Sequence, residues 1–257
     1  MTLYKGEKQY YIKKMKKPKT RIYIKKEISS NLLIYIKDKQ HHFLKNVMRV
    51  QVSDTIRIFD GITGEWNSKV LSVNRDSIVL RVIEKIKSKV QASDIWLIFA
   101  PIKQFRMNIA IQKATELGVS KAIPCLTEYT DIKSVNIKNL QLNAIEAVEQ
   151  SERLDIPKIE EPILLVSLLN SWPEDRYLVY FDEKHNQEKS IIESLLPLKN
   201  NNNKLAVLIG PEGGFSDSER ELITKHKNVL VVSLRNRLLR SDTAITVALF
   251  CVQELAC

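Results

Sequence analysis

Short apolar runs separated by polar turns dominate the first third of the chain. Gly61 and Gly64 bracket a hairpin, and Leu44, Val47 and Met48 recur at helical spacing in HHFLKNVMRV. The runs that favour β-strands are RIYI, LLIYI, TIRIFDG, EWNSKVLSV and SIVLRVIEKI. They predict a small β-barrel-like domain over residues 21–90, ending in the linker KSKVQASD.

The rhythm changes from Ile95 onward, where apolar strands alternate with amphipathic helices. Apolar residues recur at helical spacing from Met107 to Leu117, and Gly118 can end that helix. The strands between the predicted helices are IWLIFAPI, KAIPCL, YLVYFD, LAVLI and NVLVVSL. This alternation predicts an α/β domain over residues 94–257, with a parallel sheet covered by helices on both faces.

Composition narrows the class of protein. With 44% apolar and 27% charged residues the chain is typical of a globular protein, and it contains no apolar run of the eighteen or so residues that a membrane helix needs. The N-terminus lacks the apolar segment of a secretory signal, so we expect a cytoplasmic protein without a membrane partner. The three cysteines and four histidines lack metal-ligand spacing, so we expect reduced thiols and no metal.

The positive charge is concentrated at the N-terminus. Residues 1–40 carry twelve Lys or Arg and three acidic residues, a net charge of +9 out of +10 for the whole chain. Residues 1–20 therefore form a basic extension. Such an arm is either a solvated tail or a contact with a phosphate backbone, and composition does not separate the two.

The stretch LIGPEGGFSDSE lies where a strand ends and a helix begins, which is where open α/β sheets bind ligands. It holds three of the seven glycines, including Gly210 and Gly213, and Ser216 and Glu219 form a capping box for the next helix. The loop matches neither the dinucleotide nor the P-loop pattern, and Glu212 would repel phosphate. The alternatives are a tight turn and a ligand-binding loop, and the density of glycine favours the second.

A second stretch, LRNRLLRSDTA, lies at another junction between a strand and a helix. It begins at Leu234 and carries three arginines in six residues, followed by residues that cap helices well. One interpretation is a solvated basic loop. The other is that Leu238 and Leu239 line an apolar ligand while Arg240 meets an anion or a developing negative charge.

Together the two loops resemble the C-terminal motifs of the 16S ribosomal RNA uracil-N3 methyltransferases, a family of the SPOUT class. Supporting matches lie upstream, in RIYI, HHFLKNVMRV, FDG, IQKATELGV and AIEAVEQSER. The resemblance covers nearly everything after residue 20, and the motifs occur in the family's order.

The resemblance implies a PUA-like barrel that grips RNA, followed by a SPOUT domain with a C-terminal trefoil knot that binds S-adenosylmethionine (SAM). It also implies a homodimer and, as partner, 16S ribosomal RNA or the small ribosomal subunit. Arg240 would stabilise the uridine anion at N3, and no general base is evident. The residues expected around the cofactor are Gly210, Glu212, Gly213, Leu234, Leu238, Leu239 and Arg240.

Four further basic residues are candidates for RNA contact. Arg21 and Arg153 would orient the RNA, and Lys103 and Arg106 would touch its phosphates. The alternative for the two arginines is a surface salt bridge. For Lys103 and Arg106 it is a solvated helix face.

The chain also departs from the family pattern. Arg235 and Glu152 stand where glycine is common, and Ser241 and Asp242 replace Thr and Glu. Two enzyme alternatives therefore stay open, a SPOUT methyltransferase acting on another RNA, including the tRNA ribose 2′-O position, and a dinucleotide-dependent oxidoreductase, which the missing fingerprint disfavours. The third alternative is a non-catalytic RNA-binding factor of ribosome assembly with a decayed cofactor site. It stays open because Arg235 replaces the glycine that is common in the family.

Overall fold

The computed structural model describes residues 17–89, 94–185, 189–199, 204–234 and 239–256. The chain divides into two compact units, Met1–Lys89 and Val90–Cys257. Most of the predicted basic extension, Arg235 and Leu238 lie outside the described residues.

The first unit is built on a five-stranded sheet in the order β1-β3-β4-β5-β2. Strands β1 and β3 pair in parallel, and the other neighbours are antiparallel. The elements are β1 (Arg21–Tyr23), β2 (Leu33–Ile36), α1 (Asp38–His42), a π-helical turn (Phe43–Val47), β3 (Thr55–Phe59), β4 (Glu65–Val73) and β5 (Ile78–Lys87).

Alternation of apolar and polar positions places one face of each strand in the core, as the sequence predicts. In β2, Ile34 and Ile36 are buried while Leu33 and Tyr35 are exposed. The helical segment departs from its predicted periodicity, because the Met48 N–H donates to the Phe43 carbonyl (2.9 Å) in a π-type bond. The wider turn leaves Val47 60% exposed, although helical spacing had placed it with Leu44.

The FDG motif forms the turn between β3 and β4. Asp60 is buried, and its carboxylate accepts hydrogen bonds from the N–H groups of Ile28 (2.8 Å), Ile62 (2.8 Å) and Thr63 (2.7 Å) and from the Thr63 hydroxyl (2.6 Å). Burial alone would raise the pKa of Asp60, but these donors outweigh it and lower the pKa. The motif therefore has a structural explanation within this unit.

The second unit contains a parallel sheet in the order β12-β10-β11-β6-β7-β8, with β9 paired to β7. Its strands are β6 (Ile95–Phe99), β7 (Lys121–Leu126), β8 (Lys158–Ile159), β9 (Ile163–Leu164), β10 (Arg176–Phe181), β11 (Lys204–Ile209) and β12 (Val229–Val232). Its helices are α2 (Gln104–Glu116), α3 (Ile137–Ser151), α4 (Leu165–Asn170), α5 (Ile191–Leu195), α6 (Asp217–Lys225) and α7 (Ser241–Ala256).

Helices cover both faces of this sheet, as predicted. Leu97 and Phe99 of β6 join the core that holds α2, α3, α5 and α7. Ile98, between them in sequence, points to the other core, which holds α4 and α6. The short elements β8, β9 and α4 had no counterpart in the sequence prediction, because strands of two residues and a helix of fewer than two turns are too short to show a period.

Candidate active site

The glycine-rich loop follows β11, which lies between β10 and β6 in the sheet. A Cβ added at Gly210 would lie 2.5 Å from Cε2 of Phe215, so the loop folds back until this aromatic ring covers the Gly210 backbone. Phe215 is itself buried and packs edge-on against Tyr180, with 5.1 Å between ring centroids. Only glycine fits at position 210.

The tip of the loop is open to solvent. Glu212 and Gly213 are exposed, whereas Gly214 is buried, has φ +71° and donates its N–H to the Pro211 carbonyl (2.9 Å). The loop therefore presents backbone around Glu212 and Gly213 at the carboxyl edge of the sheet, where parallel α/β folds bind ligands.

The end of the loop is fixed by the predicted capping box. The Ser216 hydroxyl accepts from the Glu219 N–H (3.3 Å), and the Glu219 carboxylate accepts from the Ser216 N–H (3.0 Å). The other oxygen of Glu219 accepts the N–H of Glu128 (2.9 Å), in the loop after β7. One carboxylate thus joins the start of α6 to a loop 91 residues earlier in the chain.

Arg220 fastens the same loop to the end of β10. Its Nε donates to the Phe215 carbonyl (3.0 Å), and its terminal nitrogens donate to the carboxylates of Asp182 and Glu183. Burial, and the Asp182 carboxylate nearby, raise the pKa of the Tyr180 hydroxyl, which therefore stays protonated. Sequence reasoning missed this network; its one signal is the acidic pair that follows the strand YLVYF.

The structure joins two predicted site residues in one ion pair. Arg106, in the first turn of α2, donates to the carboxylate of Glu212. The sequence assigned Arg106 to RNA and Glu212 to the cofactor. Lys103, just before α2, is exposed, and its ammonium makes no hydrogen bond or ion pair with the described residues.

The second predicted loop leaves the same edge of the sheet. Leu234 follows β12, and Leu239 and Arg240 directly precede α7. Both leucines are partly buried and pack against the core that holds α7. Arg240 is exposed, its carbonyl accepts the Ala244 N–H (2.8 Å), and within the described residues its guanidinium has no ion-pair or hydrogen-bond partner.

Two further predicted RNA contacts, Arg21 and Arg153, are each paired with a carboxylate of their own unit. Arg21, in the first unit, is buried, donates to Glu65 (2.5 Å) and stacks 3.7 Å over the Phe59 ring. Arg153 donates to the Thr115 carbonyl (2.6 Å) at the end of α2, opposite to the end that carries Arg106. Arg153 also pairs with Asp155 (2.5 Å). A role in RNA contact stays a prediction for both arginines.

Comparison with known proteins identifies the family. Residues 89–253 match the model of an RNA methyltransferase domain, and residues 36–83 match that of an RNA methyltransferase PUA domain. Ribosomal RNA small subunit methyltransferase E of Rickettsia conorii is 35% identical over 236 residues, covering 91% of this chain and 95% of the relative. The chain belongs to the ribosomal RNA small subunit methyltransferase E family. The predicted resemblance is confirmed, and the chain is an RNA methyltransferase.

A second member of this methyltransferase E family and a solved structure are also similar to the chain over most of its length. The Buchnera aphidicola (subsp. Schizaphis graminum) enzyme is 29% identical over 93% of this chain and 97% of its own length. A Legionella pneumophila protein solved with bound SAM superposes with a TM-score of 0.82 at 27% identity, covering 91% of this chain and 97% of its own. These likenesses confirm the α/β fold with an N-terminal PUA-like domain.

No helix in the described parts of the chain has the length and apolar character needed to cross a membrane. Within the same residues, no three His, Cys, Asp or Glu side chains are grouped as metal ligands would be.

Proposed function

We propose that the chain transfers the methyl group of SAM to N3 of a uridine in the 16S ribosomal RNA of the small subunit. The relatives named for this RNA support the substrate, and the solved relative with bound SAM supports the cofactor. The trefoil knot, a homodimer and action in the cytoplasm belong to the same proposal. So do RNA contacts by the PUA-like domain, residues 21–90, and by the basic extension, residues 1–20.

The residues present fit SAM at the carboxyl edge of the sheet. The exposed backbone at Glu212 and Gly213 can bind the polar groups of the cofactor, and Leu234 and Leu239 supply apolar side chains. One carboxylate oxygen of Asp242, in the first turn of α7, is buried and has no hydrogen-bond partner among the described residues, as expected beside a ligand with donors to offer. Leu238, outside the described residues, and Gly210 complete the proposed cofactor set.

Bound SAM supplies a methyl group already activated by its sulfonium, so the protein's task is to align it with N3 and to make N3 nucleophilic. N3 carries a proton at neutral pH, and that proton must pass to water before the N–CH₃ bond forms and the S–CH₃ bond breaks. A guanidinium close to the base stabilises the resulting anion.

Arg240 carries this proposal. Its guanidinium is exposed and has no hydrogen-bond or ion-pair partner among the residues that the structure describes, so it can face a substrate without first giving up such a pair. Lys103 and Arg106 flank the start of α2 and would contact the phosphates on either side of the target nucleotide.

The direct test incubates the protein with labelled SAM and small ribosomal subunits that lack the modification, followed by digestion and identification of the nucleoside. We expect 3-methyluridine in 16S RNA. Methyl transfer to a ribose or to another RNA would contradict the target. A protein that binds SAM but transfers nothing to any RNA would be an assembly factor.

Arg240→Ala tests the mechanism. We expect kcat to fall about 10²- to 10³-fold, as is usual for loss of one stabiliser of developing charge, while the Kd for SAM measured by calorimetry changes little. Arg240→Lys is the matched control and should recover part of the rate, because it keeps the charge but not the planar geometry. Equal losses in rate and in SAM affinity would reassign Arg240 to cofactor binding.

A further inference from the structure

Tyr129 is an exposed aromatic residue held beside the glycine-rich loop. It lies in the loop after β7 and is 48% exposed. A Cβ added at Gly213 would lie 3.3 Å from Cβ of Tyr129 and 3.9 Å from both Cγ and Cδ2, so the tyrosine side chain packs on the backbone of the loop tip.

The backbone on either side of Tyr129 is fixed. The Thr127 N–H donates to the Thr130 hydroxyl (3.0 Å), and the Thr130 N–H donates back to the Thr127 carbonyl (3.1 Å), which closes a tight turn. The Glu128 N–H donates to Glu219 in the capping box of α6. The turn that carries Tyr129 is thus closed on itself, and the neighbouring Glu128 ties it to the start of α6.

An aromatic ring in this position has a chemistry suited to RNA. Proteins that act on unpaired nucleotides commonly stack the base on an aromatic side chain, because every base has a π face and an unpaired base has lost its neighbours. Tyrosine loses little conformational entropy on binding, since only two side-chain torsions are fixed. The guanidinium of Arg106 pairs with Glu212 at the same loop tip, and it would have to give up that pair to contact a phosphate.

We propose that Tyr129 stacks on the target nucleobase and positions it against the glycine-rich loop. The proposal rests on the proposed function, because it takes an RNA base as the ligand of this edge of the sheet. It predicts that the aromatic ring contributes to RNA binding and not to cofactor binding.

The test compares Tyr129→Leu, which removes the π face but keeps an apolar side chain, with Tyr129→Phe, which keeps the ring. KM and kcat are measured with small subunits lacking the modification, and the Kd for SAM is measured by calorimetry. Loss of a stacked base typically weakens binding by tenfold or more, so we expect Tyr129→Leu to raise KM for the subunit about tenfold. Tyr129→Phe should stay close to the parent protein, and both variants should bind SAM as the parent does.

Several results would overturn this role. An unchanged KM in Tyr129→Leu would do so, and so would a parallel loss of SAM affinity, which would make Tyr129 a support of the cofactor loop. If sedimentation shows that Tyr129→Leu no longer forms a dimer while its KM is unchanged, the ring contacts a second copy of the chain and not the RNA.

Failure of the proposed function looks different, because the parent protein itself would then transfer no methyl group. In that case the affinity for a labelled single-stranded RNA, measured by fluorescence anisotropy, still tests whether Tyr129 stacks on a base. The parent protein should bind this RNA about tenfold more tightly than Tyr129→Leu, and equal affinities would refute stacking.

Discussion

Gly210→Ala tests whether the glycine-rich loop depends on the close approach of Phe215 to the backbone. The added Cβ would lie 2.5 Å from Cε2 of the ring, whereas ordinary contacts begin at 3.4 Å, so the ring or the loop must move by the difference of about 0.9 Å. Phe215 is buried against Tyr180 and cannot swing into solvent. Forcing one extra methyl group into such a core costs about 1–3 kcal/mol.

The measurements are the free energy of unfolding from urea titration and the Kd for SAM from calorimetry. We expect Gly210→Ala to lose about 1–3 kcal/mol of stability and to weaken SAM binding, because the strand end and the loop tip shift together. Phe215→Leu is the matched partner, since a shorter side chain makes room for the methyl group. The double variant should be more stable than the sum of the two single losses predicts, with a coupling of about 0.5–3 kcal/mol. Strict additivity, or a Gly210→Ala protein with parental stability and SAM affinity, would refute the steric reasoning.

Two further predictions concern stability outside the loop. Asp60→Asn should cost about 2 kcal/mol at neutral pH, because an amide cannot accept from all four donors. Since the pKa of Asp60 is lowered on folding, the loss should shrink as pH falls below about 4; a constant loss down to pH 2 would contradict it. Glu152 ends α3 with φ +58°, so Glu152→Gly should be more stable than Glu152→Ala by about 1 kcal/mol in thermal or urea unfolding, and equal stabilities would exclude backbone strain there.

The sequence predicted those parts of the site whose signals are local. The capping box of Ser216 and Glu219 spans four residues, and the glycines at 210 and 213 are three apart, so a short stretch of sequence contains the whole pattern. The position of Glu152 also has a local explanation. The family pattern has glycine there, and the structure gives the reason, because the residue adopts the left-handed conformation that ends α3.

Contacts between distant segments could not be predicted in this way. From the sequence, Glu219 is only a capping residue. In the structure its second carboxylate oxygen also accepts the N–H of Glu128, 91 residues earlier in the chain, and so holds the loop that carries Tyr129. Arg220 reaches Asp182 over 38 residues. Which loops of a parallel sheet are neighbours can be predicted only when the strand order is known. Here that order places β10 between β11 and β12.

The arginines show most clearly what the structure adds. Charge and family position made Arg240 the first candidate to stabilise the developing charge, and Arg21, Arg106 and Arg153 candidates for contact with RNA. In the structure the last three have carboxylate partners, so each must break an ion pair before it can bind another anion.

Arg240 differs, because its guanidinium has no such partner among the described residues. Breaking a largely buried pair such as Arg153–Asp155 leaves a carboxylate without its cation, at a cost of several kcal/mol, whereas the exposed Arg106–Glu212 pair contributes about 1 kcal/mol or less. The cost of breaking a buried pair is comparable to the 2.7–4 kcal/mol or so that a single charge-stabilising donor contributes to catalysis. An arginine in a buried pair would therefore lose most of its catalytic benefit, and Arg106 already has a carboxylate beside it that competes with a substrate anion, which leaves Arg240 as the side chain best placed to stabilise the uridine anion.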